Sequence, residues 1–521
     1  MAGPVETWPM VDAVLFVTVI IGCILLSSRR KSTIPGPKGF PFIGNIYQVP
    51  KDQQWLVFDE WIHRYGDLVQ INLLGEPTLI IGSYTAASEL LDSRGTIYSD
   101  RPPAVMAGEL VGWNQGLGYS PGPQSPRFRE FRRLFQQFMG PRPSQDHLVL
   151  SLQEKFASKL LLKLLESPQY FITHVRQSTG AFILKITYGY DVMEDQREDY
   201  LVQIVEKAMQ GFALASEPGA FFVDYFPILK HVPSWIPGAG FRRVAQVMRG
   251  DLQRLYDVPF DFVTKQMKLG TATESFTSSY LEERESPGSD GKEIIKAAAA
   301  SLYSGGADTT PSSLASFILA MTLHPGILAR AQAELDLVIG NTFQRLPAFS
   351  DRASLPYVNA IVLEILRWNP AVPLGLAHKL TTDDVYRGHF LPKGTVVWAN
   401  IWTMLHDENI FPDPMVFRPE RFLDSNGQLR KLKPYEDPSI IGFGFGRRIC
   451  PGMFLADNSI FINIAMMLYV FHFSPEKDND GNDILPNVEY RGFISHPTPF
   501  RCNIMPRCDK AITLIRANNS D

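Results

Sequence analysis

The chain has 521 residues and a formal net charge of −4, because 50 lysines and arginines oppose 54 aspartates and glutamates. A chain of this length can bury large cores, but its balanced charge provides no net basic field for a polyanion, so we exclude nucleic acid as a partner. The 4 cysteines are too few for a disulfide scaffold and fit a reducing compartment.

The N-terminal region is predicted to anchor the protein in a membrane. Val11–Ser28 is almost wholly apolar, with Asp12 near its start, and Arg29–Lys31 follow directly. Extended back to Trp8, the apolar stretch reaches about 20 residues, enough to cross a hydrocarbon core of about 30 Å. The basic cluster belongs on the cytoplasmic side, so we expect residues 1–31 to form a single-pass anchor. The alternatives are a buried hairpin and a cleaved signal peptide, although the latter carries its basic residues before the apolar stretch.

A proline-rich segment follows the predicted anchor. Ile34–Asn45 contains Pro35, Pro37 and Pro41, each of which fixes φ and removes a backbone donor. The anchor helix cannot continue through it, so we predict a stiff hinge over residues 32–51 that sets the angle at which the protein leaves the membrane. The pattern is weakly specific, because any loop rich in proline and glycine has a similar composition.

Beyond the hinge, hydrophobic periodicity predicts a mainly α protein with a small β part. The predicted strands are Leu68–Leu74, Thr78–Ile81 and Thr395–Ala399. The predicted helices are Ser144–Leu165, Tyr200–Ala215, Phe241–Leu269, Glu293–Leu323, Ile327–Ile339, Tyr357–Trp368 and Gly452–Phe471. No glycine-rich turn between a clear strand and helix is followed by an acidic residue about 20 positions later, so a Rossmann-type dinucleotide site is not supported. If the chemistry is redox, electrons must arrive from another protein.

The strongest local signal is Ile441–Gly452, with the sequence IGFGFGRRICPG. Its glycines let the backbone turn tightly and approach a flat ligand, and Arg448 offers a positive fork to a carboxylate. Pro451 and the apolar run from Met453 place Cys450 beside a helix N-terminus, where free N–H groups favour an anionic sulfur. From residue types alone, a buried structural cysteine and a phosphate-binding turn remain alternatives.

The spacing within this loop resembles a known signature. Phe443, Gly446, Arg448, Cys450 and Gly452 match the Phe-x-x-Gly-x-Arg-x-Cys-x-Gly pattern of the cytochrome P450 family. The resemblance implies the cytochrome P450 fold and a haem b whose iron is held by the thiolate of Cys450, which pushes electron density toward the O–O bond. It also implies a monooxygenase that receives electrons from NADPH through a separate reductase, with cytochrome b5 as an additional candidate partner.

The resemblance extends to an ionic cluster upstream of Cys450. Glu364 and Arg367 share one face of the predicted helix Tyr357–Trp368 and match the Glu-x-x-Arg element of the family. Arg421, in the segment RPERF, matches the arginine that completes this cluster. The alternative for such a pair, taken alone, is a solvated helical contact.

The oxygen-handling element of the family is matched by Ser304–Thr310. Two adjacent glycines weaken the helix there and Pro311 removes a further backbone hydrogen bond, so we expect a local helix defect with room for dioxygen and water. By resemblance, the acid Asp308 and the alcohol Thr309 relay protons to bound oxygen. The alternative is a helix N-cap at Asp308 or Thr309 after a break at the glycines.

Haem propionates require cations, which the arginine-rich segment Arg127–Arg133 can supply. In the family a Trp-x-x-x-Arg pair contacts a propionate, and the matching positions here are Phe128 and Arg132. Phenylalanine lacks the indole N–H donor, so Arg132 is expected to carry more of this contact, with His378 and Arg448 as further candidates.

By resemblance, residues 52–521 form one haem-binding monooxygenase domain that faces the cytosol from the endoplasmic reticulum membrane. The segments expected to contact substrate are Pro102–Leu117, Met209–Phe222, Ala371–Leu376 and Phe493–Pro499. They are mostly apolar and aromatic, which predicts a lipophilic small-molecule substrate.

Arg101–Ser120 resembles fungal enzymes of the O-methylsterigmatocystin oxidoreductase group. This similarity suggests oxidation of a terpenoid, polyketide, indole or polycyclic aromatic skeleton in secondary metabolism, or of a xenobiotic. A haem-thiolate isomerase or dehydratase is an alternative, against which the pair Asp308 and Thr309 argues. A non-catalytic membrane haem carrier or sensor is another.

Overall fold

A computed structural model describes residues 34–193, 199–217, 219–283 and 289–520. The predicted anchor over residues 1–31 lies outside these residues. Within them the protein is mainly α-helical with a small β part, which confirms the predicted class.

The helices of eight residues or more are α1 Gln54–Tyr65, α2 Pro126–Met139, α3 His147–Glu166, α4 Phe171–Tyr188, α5 Tyr200–Ser216, α6 Gly240–Leu269, α7 Phe276–Glu283, α8 Ser289–Leu323, α9 Pro325–Val338, α10 Pro356–Trp368, α11 Met453–Val470 and α12 Asp509–Ala517. The strands are β1 Leu68–Leu73, β2 Glu76–Ile81, β3 His378–Lys379, β4 Asp384–Tyr386, β5 His389–Leu391, β6 Val396–Ala399, β7 Phe471–Ser474, β8 Glu476–Lys477, β9 Asp483–Ile484, β10 Tyr490–Arg491, β11 His496–Pro497 and β12 Asn503–Pro506. Each helix and strand predicted from periodicity is present, with shifted ends, whereas the helices α1, α2, α4, α7 and α12 were missed.

The largest sheet has four strands in the order β1, β2, β6, β3. β1 and β2 form an antiparallel hairpin, and β6 pairs parallel to β2, with Leu79 opposite Val397. The sheet therefore joins chain segments that are more than 300 residues apart in sequence.

The proline-rich segment lies along this sheet. The N–H of Gln70 donates to the carbonyl of Pro35 at 2.9 Å, and the N–H of Asn45 donates to the carbonyl of Asn72 at 2.7 Å. A Cβ at Gly36 would lie 2.0 Å from the carbonyl oxygen of Gln70, so only glycine permits this approach. The described part of the predicted hinge is thus attached to the folded body, while the proposed boundary at residue 52 stays a prediction.

The largest core surrounds α11, whose apolar side chains are buried on nearly all sides by α3, α8, α9 and α10. By length and composition α11 could cross a membrane, but 78% of it is buried inside the protein. The bent pair of α8 and α9 passes the same test when its halves are taken together. Burial identifies α11 as a core helix.

The long helix α8 is continuous through Gly305, Gly306 and Pro311. The expected helix defect is therefore wrong. Gly306 packs tightly against α4, since a Cβ there would lie 2.8 Å from a methyl carbon of Ile183. At Gly305 a Cβ would meet no atom within 4 Å, so the glycine, which has no side chain, leaves open space beside α8.

Candidate active site

The Cys450 loop is fixed by its own backbone. The N–H of Cys450 donates to the carbonyl of Phe443 at 2.9 Å, and Gly446 has a φ of 61°. A Cβ on Gly446 would lie 2.0 Å from the carbonyl oxygen of Leu91, so this position requires glycine for both conformation and space. The loop ends directly before α11, with Gly452 as the residue that precedes the helix.

The surroundings of the Cys450 sulfur act in opposite directions on its protonation. Burial raises the pKa of the thiol, whereas the backbone N–H of Gly452 and the charge of Arg132 lower it. Arg132 is held close, because its Nη1 donates to the carbonyl of Ile449 at 2.7 Å. A buried thiol beside a positive charge and a backbone donor is suited to bind a metal ion as the thiolate.

Two further arginines lie close to this loop without carboxylate partners. Arg448 donates to the carbonyls of Ser99 and Ser120 at 2.9 and 2.8 Å, and Arg101 donates to those of Leu376 and Ala377 at 2.6 and 2.7 Å. Across the described ranges, no carboxylate lies within ion-pair distance of Arg101, Arg132 or Arg448.

The cost of burying these charges appears in their pKa values. Burial and the neighbouring Arg101 lower the pKa of Arg448 to about 8, while burial lowers that of Arg101 to about 10. Unpaired buried cations of this kind need anions, and the two carboxylates of a haem would supply them. The residues present therefore fit a haem.

His378 and Phe128 differ from the expected pattern. His378 is buried, its Nδ1 lies 2.8 Å from the carbonyl oxygen of Tyr98, and burial together with Arg101 lowers its pKa to about 3. It is therefore neutral, so it can offer a hydrogen bond but not the positive charge that we expected. Phe128 packs its ring 4.2 Å from the guanidinium carbon of Arg448 and so supports that arginine.

Cys450 and Phe443 line a cavity of about 290 Å³, measured as the space that the centre of a water molecule can reach. Gly305, Gly306 and Thr309 of α8 form part of its wall. Its other walls carry an aromatic cluster, which consists of Trp113, Tyr119, Phe212 and Phe493. No charged side chain of the described residues lines the cavity.

The acid and the alcohol of α8 lie in different places. Thr309 lines the cavity and donates its hydroxyl hydrogen to the carbonyl of Gly305 at 2.9 Å. Asp308 does not line it, and its Oδ1 lies 3.1 Å from Nε2 of His496 and 3.8 Å from a guanidinium nitrogen of Arg176. Both residues are inside α8, so the helix N-cap alternative is wrong.

The predicted ionic cluster is present and buried. Arg367 forms a bidentate contact with Glu364 at 2.7 and 2.8 Å, both side chains are 0% exposed, and Arg421 lies 3.1 Å from the same carboxylate. The N–H of Arg418 also donates to Glu364 at 2.7 Å. These contacts exclude a solvated pair and fix the RPERF segment to α10.

The sequence analysis missed Arg101, Arg176 and His496. Arg101 could have been noticed as a lone cation that begins an apolar segment. Arg176 and His496 carry no local signal, because only the packing of α4 and β11 against α8 brings them to Asp308.

A cysteine that faces an apolar cavity, with unpaired arginines around its loop, defines the site of a haem-thiolate protein. The family model for cytochrome P450 matches residues 34–504. The chain belongs to the cytochrome P450 family, and it is a monooxygenase of that family.

Named relatives cover nearly the whole chain. Cytochrome P450 monooxygenase 208 of Postia placenta is 45% identical over 94% of this chain and 93% of its own length. Cytochrome P450 monooxygenase claR of Ampulloclitocybe clavipes is 40% identical over 96% of this chain and 92% of its own length. Tryptamine 4-monooxygenase of Psilocybe cyanescens is 37% identical over 96% of this chain and 99% of its own length.

Proposed function

We propose that this monooxygenase inserts one oxygen atom of O2 into a neutral, lipophilic small molecule of secondary metabolism, bound against the aromatic cluster. The observation that carries the proposal is the shared cavity, which Cys450 lines together with Thr309 and an uncharged wall. A haem bound there supplies the activation of O2. The apolar lining excludes bulk water and favours a substrate without a fixed charge.

Cys450 is the proposed axial ligand of the haem iron. Arg101, Arg132 and Arg448 bind the propionates through charge, and His378 adds a neutral hydrogen bond. Phe443 packs beside the sulfur, and Gly446 lets the loop lie close to Leu91. Glu364, Arg367 and Arg421 have no part in the chemistry, and they hold the framework on which the loop rests.

Thr309 is proposed to hold a proton at the cavity wall. Its hydroxyl now donates to Gly305, and a rotation about one bond turns it toward the cavity. Asp308 is the acid that supplies protons, although it lies on another side of α8 and must act through intervening groups.

Electrons are proposed to come from NADPH through a separate reductase, with cytochrome b5 as an additional candidate. The surface next to Cys450 supports this docking, because α2 carries the exposed Arg129 beside Arg132, whereas the exposed Arg133 is paired with Glu130 on the same helix. A positive surface favours an acidic partner and speeds its approach.

We also propose that the protein lies on the cytosolic face of the endoplasmic reticulum membrane. Large apolar side chains are exposed in two segments, Phe40–Phe42 and Ile228–Trp235, and Trp235 is 79% exposed. Next to the first segment, the carbonyl of Ile43 accepts a hydrogen bond from the N–H of Leu74 at 3.3 Å. Close to the second, Tyr225 interacts electrostatically with Glu76. Both segments therefore approach the β1–β2 turn. An apolar surface of this kind fits contact with lipid.

The proposed function is tested with the full chain in membranes that contain a cytochrome P450 reductase. We expect a red-shifted Soret band when carbon monoxide is added to the reduced protein, and oxidation of a neutral polycyclic or indole compound that requires both NADPH and O2. Tryptamine, whose amine is charged at neutral pH, serves as the matched probe and should bind more weakly than a neutral indole of similar size. A folded, haem-loaded protein without NADPH-dependent product across such a panel would contradict the proposal.

A further inference from the structure

Asp308 contacts two basic side chains that belong to different parts of the fold. Arg176 comes from α4, and His496 comes from β11. Although burial raises the pKa of Asp308, the contacts with His496 and Arg176 outweigh it and leave that pKa below its usual range. Asp308 therefore stays ionised between proton transfers.

The two partners differ in what they can do. An arginine keeps its proton under all physiological conditions, so Arg176 can attract Asp308 but cannot pass a proton to it. Histidine side chains, as a class, gain and lose a proton near neutral pH. Nε2 of His496 is buried, and it lies 3.1 Å from Oδ1 of Asp308, within reach of a hydrogen bond to that carboxylate.

The backbone beside His496 is firmly held. The carbonyl of Ser495 accepts hydrogen bonds from Ser312 at 2.5 Å and from Asn369 at 3.2 Å, and the Ser495 hydroxyl donates to Asn369 at 3.1 Å. Ile494, one residue earlier, lines the cavity. His496 is thus fixed between the cavity wall and the outside, and its side chain is 19% exposed to solvent.

We propose that His496 is the residue that reloads Asp308 with protons from solvent during turnover. This inference rests on the proposed function. In each transfer the N–H bond at Nε2 breaks and an O–H bond forms on Asp308, which leaves a neutral imidazole with its proton on Nδ1. The ring then turns its bare Nε2 toward solvent, where an N–H bond forms as a hydronium ion gives up its proton and becomes water. The proton leaves Asp308 toward the Thr309 side of α8. Over one cycle, two such protons and two electrons from NADPH reduce one atom of O2 to water, while the other atom enters the substrate.

The test compares His496→Gln with Arg176→Gln in the haem-loaded chain with reductase. Both variants remove a basic neighbour of Asp308, but only the first removes a side chain that can give up a proton. For His496→Gln we expect product formation to fall by about tenfold or more, the scale of a lost acid–base group, with more NADPH diverted to peroxide and a larger solvent deuterium isotope effect. Arg176→Gln should leave the isotope effect at the wild-type value.

A second measurement does not depend on turnover. The infrared carboxyl band of Asp308, identified by its loss in Asp308→Asn, should titrate at higher pH in His496→Gln than in wild type. If His496→Gln fails to fold, His496→Asn replaces it in both measurements. Equal isotope effects and peroxide yields in wild type and a folded His496 variant would overturn the proposal, as would the same change in Arg176→Gln. A wild type without product would instead count against the proposed function, and the infrared titration would then decide whether His496 controls Asp308.

Discussion

The cysteine side and the substrate side of the cavity are built by different kinds of contact. On the cysteine side, Glu364 and Arg367 are fully buried, and backbone hydrogen bonds fix the loop around Cys450. On the substrate side, Phe212 and its aromatic neighbours touch through ring contacts without charges. Directional bonds hold the cofactor in one geometry, whereas apolar packing lets the substrate side change without unfolding the protein.

The largest effect is expected for Cys450→Ser. A serine hydroxyl is a poor ligand for haem iron compared with a thiolate, so the red-shifted carbon monoxide band and the turnover should both be lost. The measurement is the difference spectrum of the reduced protein. Cys502→Ser is the matched control, because Cys502 is a buried free cysteine that does not line the cavity, and it should keep the band.

Breaking the ionic cluster should destabilise the fold itself. Arg367→Met leaves Glu364 buried with fewer partners, and breaking a buried pair in this way costs about 3–5 kcal/mol. Urea unfolding of the haem protein, followed by tryptophan fluorescence, measures this loss. Arg330→Met removes a surface partner of Glu420, at 3.0 Å, and should cost about 1 kcal/mol or less. Similar losses in both variants would refute the contrast between buried and exposed pairs.

A change on the substrate side should alter binding more than folding. Phe212 lies 4.8 Å from Trp113 and 6.1 Å from both Tyr119 and Phe493, measured between ring centroids. Phe212→Ala removes a ring contact with an aromatic substrate worth about 1 kcal/mol, so that substrate should bind roughly fivefold more weakly. Spectral titration with substrate measures the dissociation constant. Phe226→Ala, at a residue that is 45% exposed, should bind as wild type does; equal weakening there would show that the cluster is not the binding surface.

The smallest effect concerns an ion pair outside both regions. Arg345 contacts Asp351 at 2.7 and 2.8 Å, and although burial raises the pKa of that carboxyl, the contact with Arg345 leaves it below its usual range. A carboxyl whose pKa is lower in the folded state than in the unfolded state stabilises the protein at pH values above the unfolded-state pKa. This stabilisation is lost as the pH falls through the folded-state pKa. Asp351→Asn should therefore cost about 1 kcal/mol or less at neutral pH. Unfolding midpoints at neutral and acidic pH should converge as the pH falls, and a constant difference would contradict the linkage.

Site features whose residues lie close together in the sequence could be predicted. The loop that ends at Cys450 and the pair Glu364 and Arg367 depend on spacing within a few residues, which the sequence displays directly. The helix α2 was missed although its apolar face is well defined, because its four arginines make the segment polar overall.

Side-chain direction and protonation were harder to predict. Asp308 and Thr309 are neighbours on α8, where successive residues point about 100° apart, and of the two only Thr309 lines the cavity. His378 was expected among the cations, but Arg101, almost 300 residues earlier in the chain, makes its protonation unfavourable. Neither effect is visible until distant segments have packed.

The length of α8 has a consequence for how enzymes of this kind diversify. Its residues from Ser301 to Thr310 include cavity-lining positions, while those from Leu314 to Met321 are buried in the main core. Substitutions at the cavity-lining positions can therefore change the substrate, whereas the segment from Leu314 to Met321 tolerates little change without loss of the folded chain. A mutant library restricted to Ser301, Ser304 and Thr310 should yield a larger fraction of active clones than one restricted to Leu314–Met321.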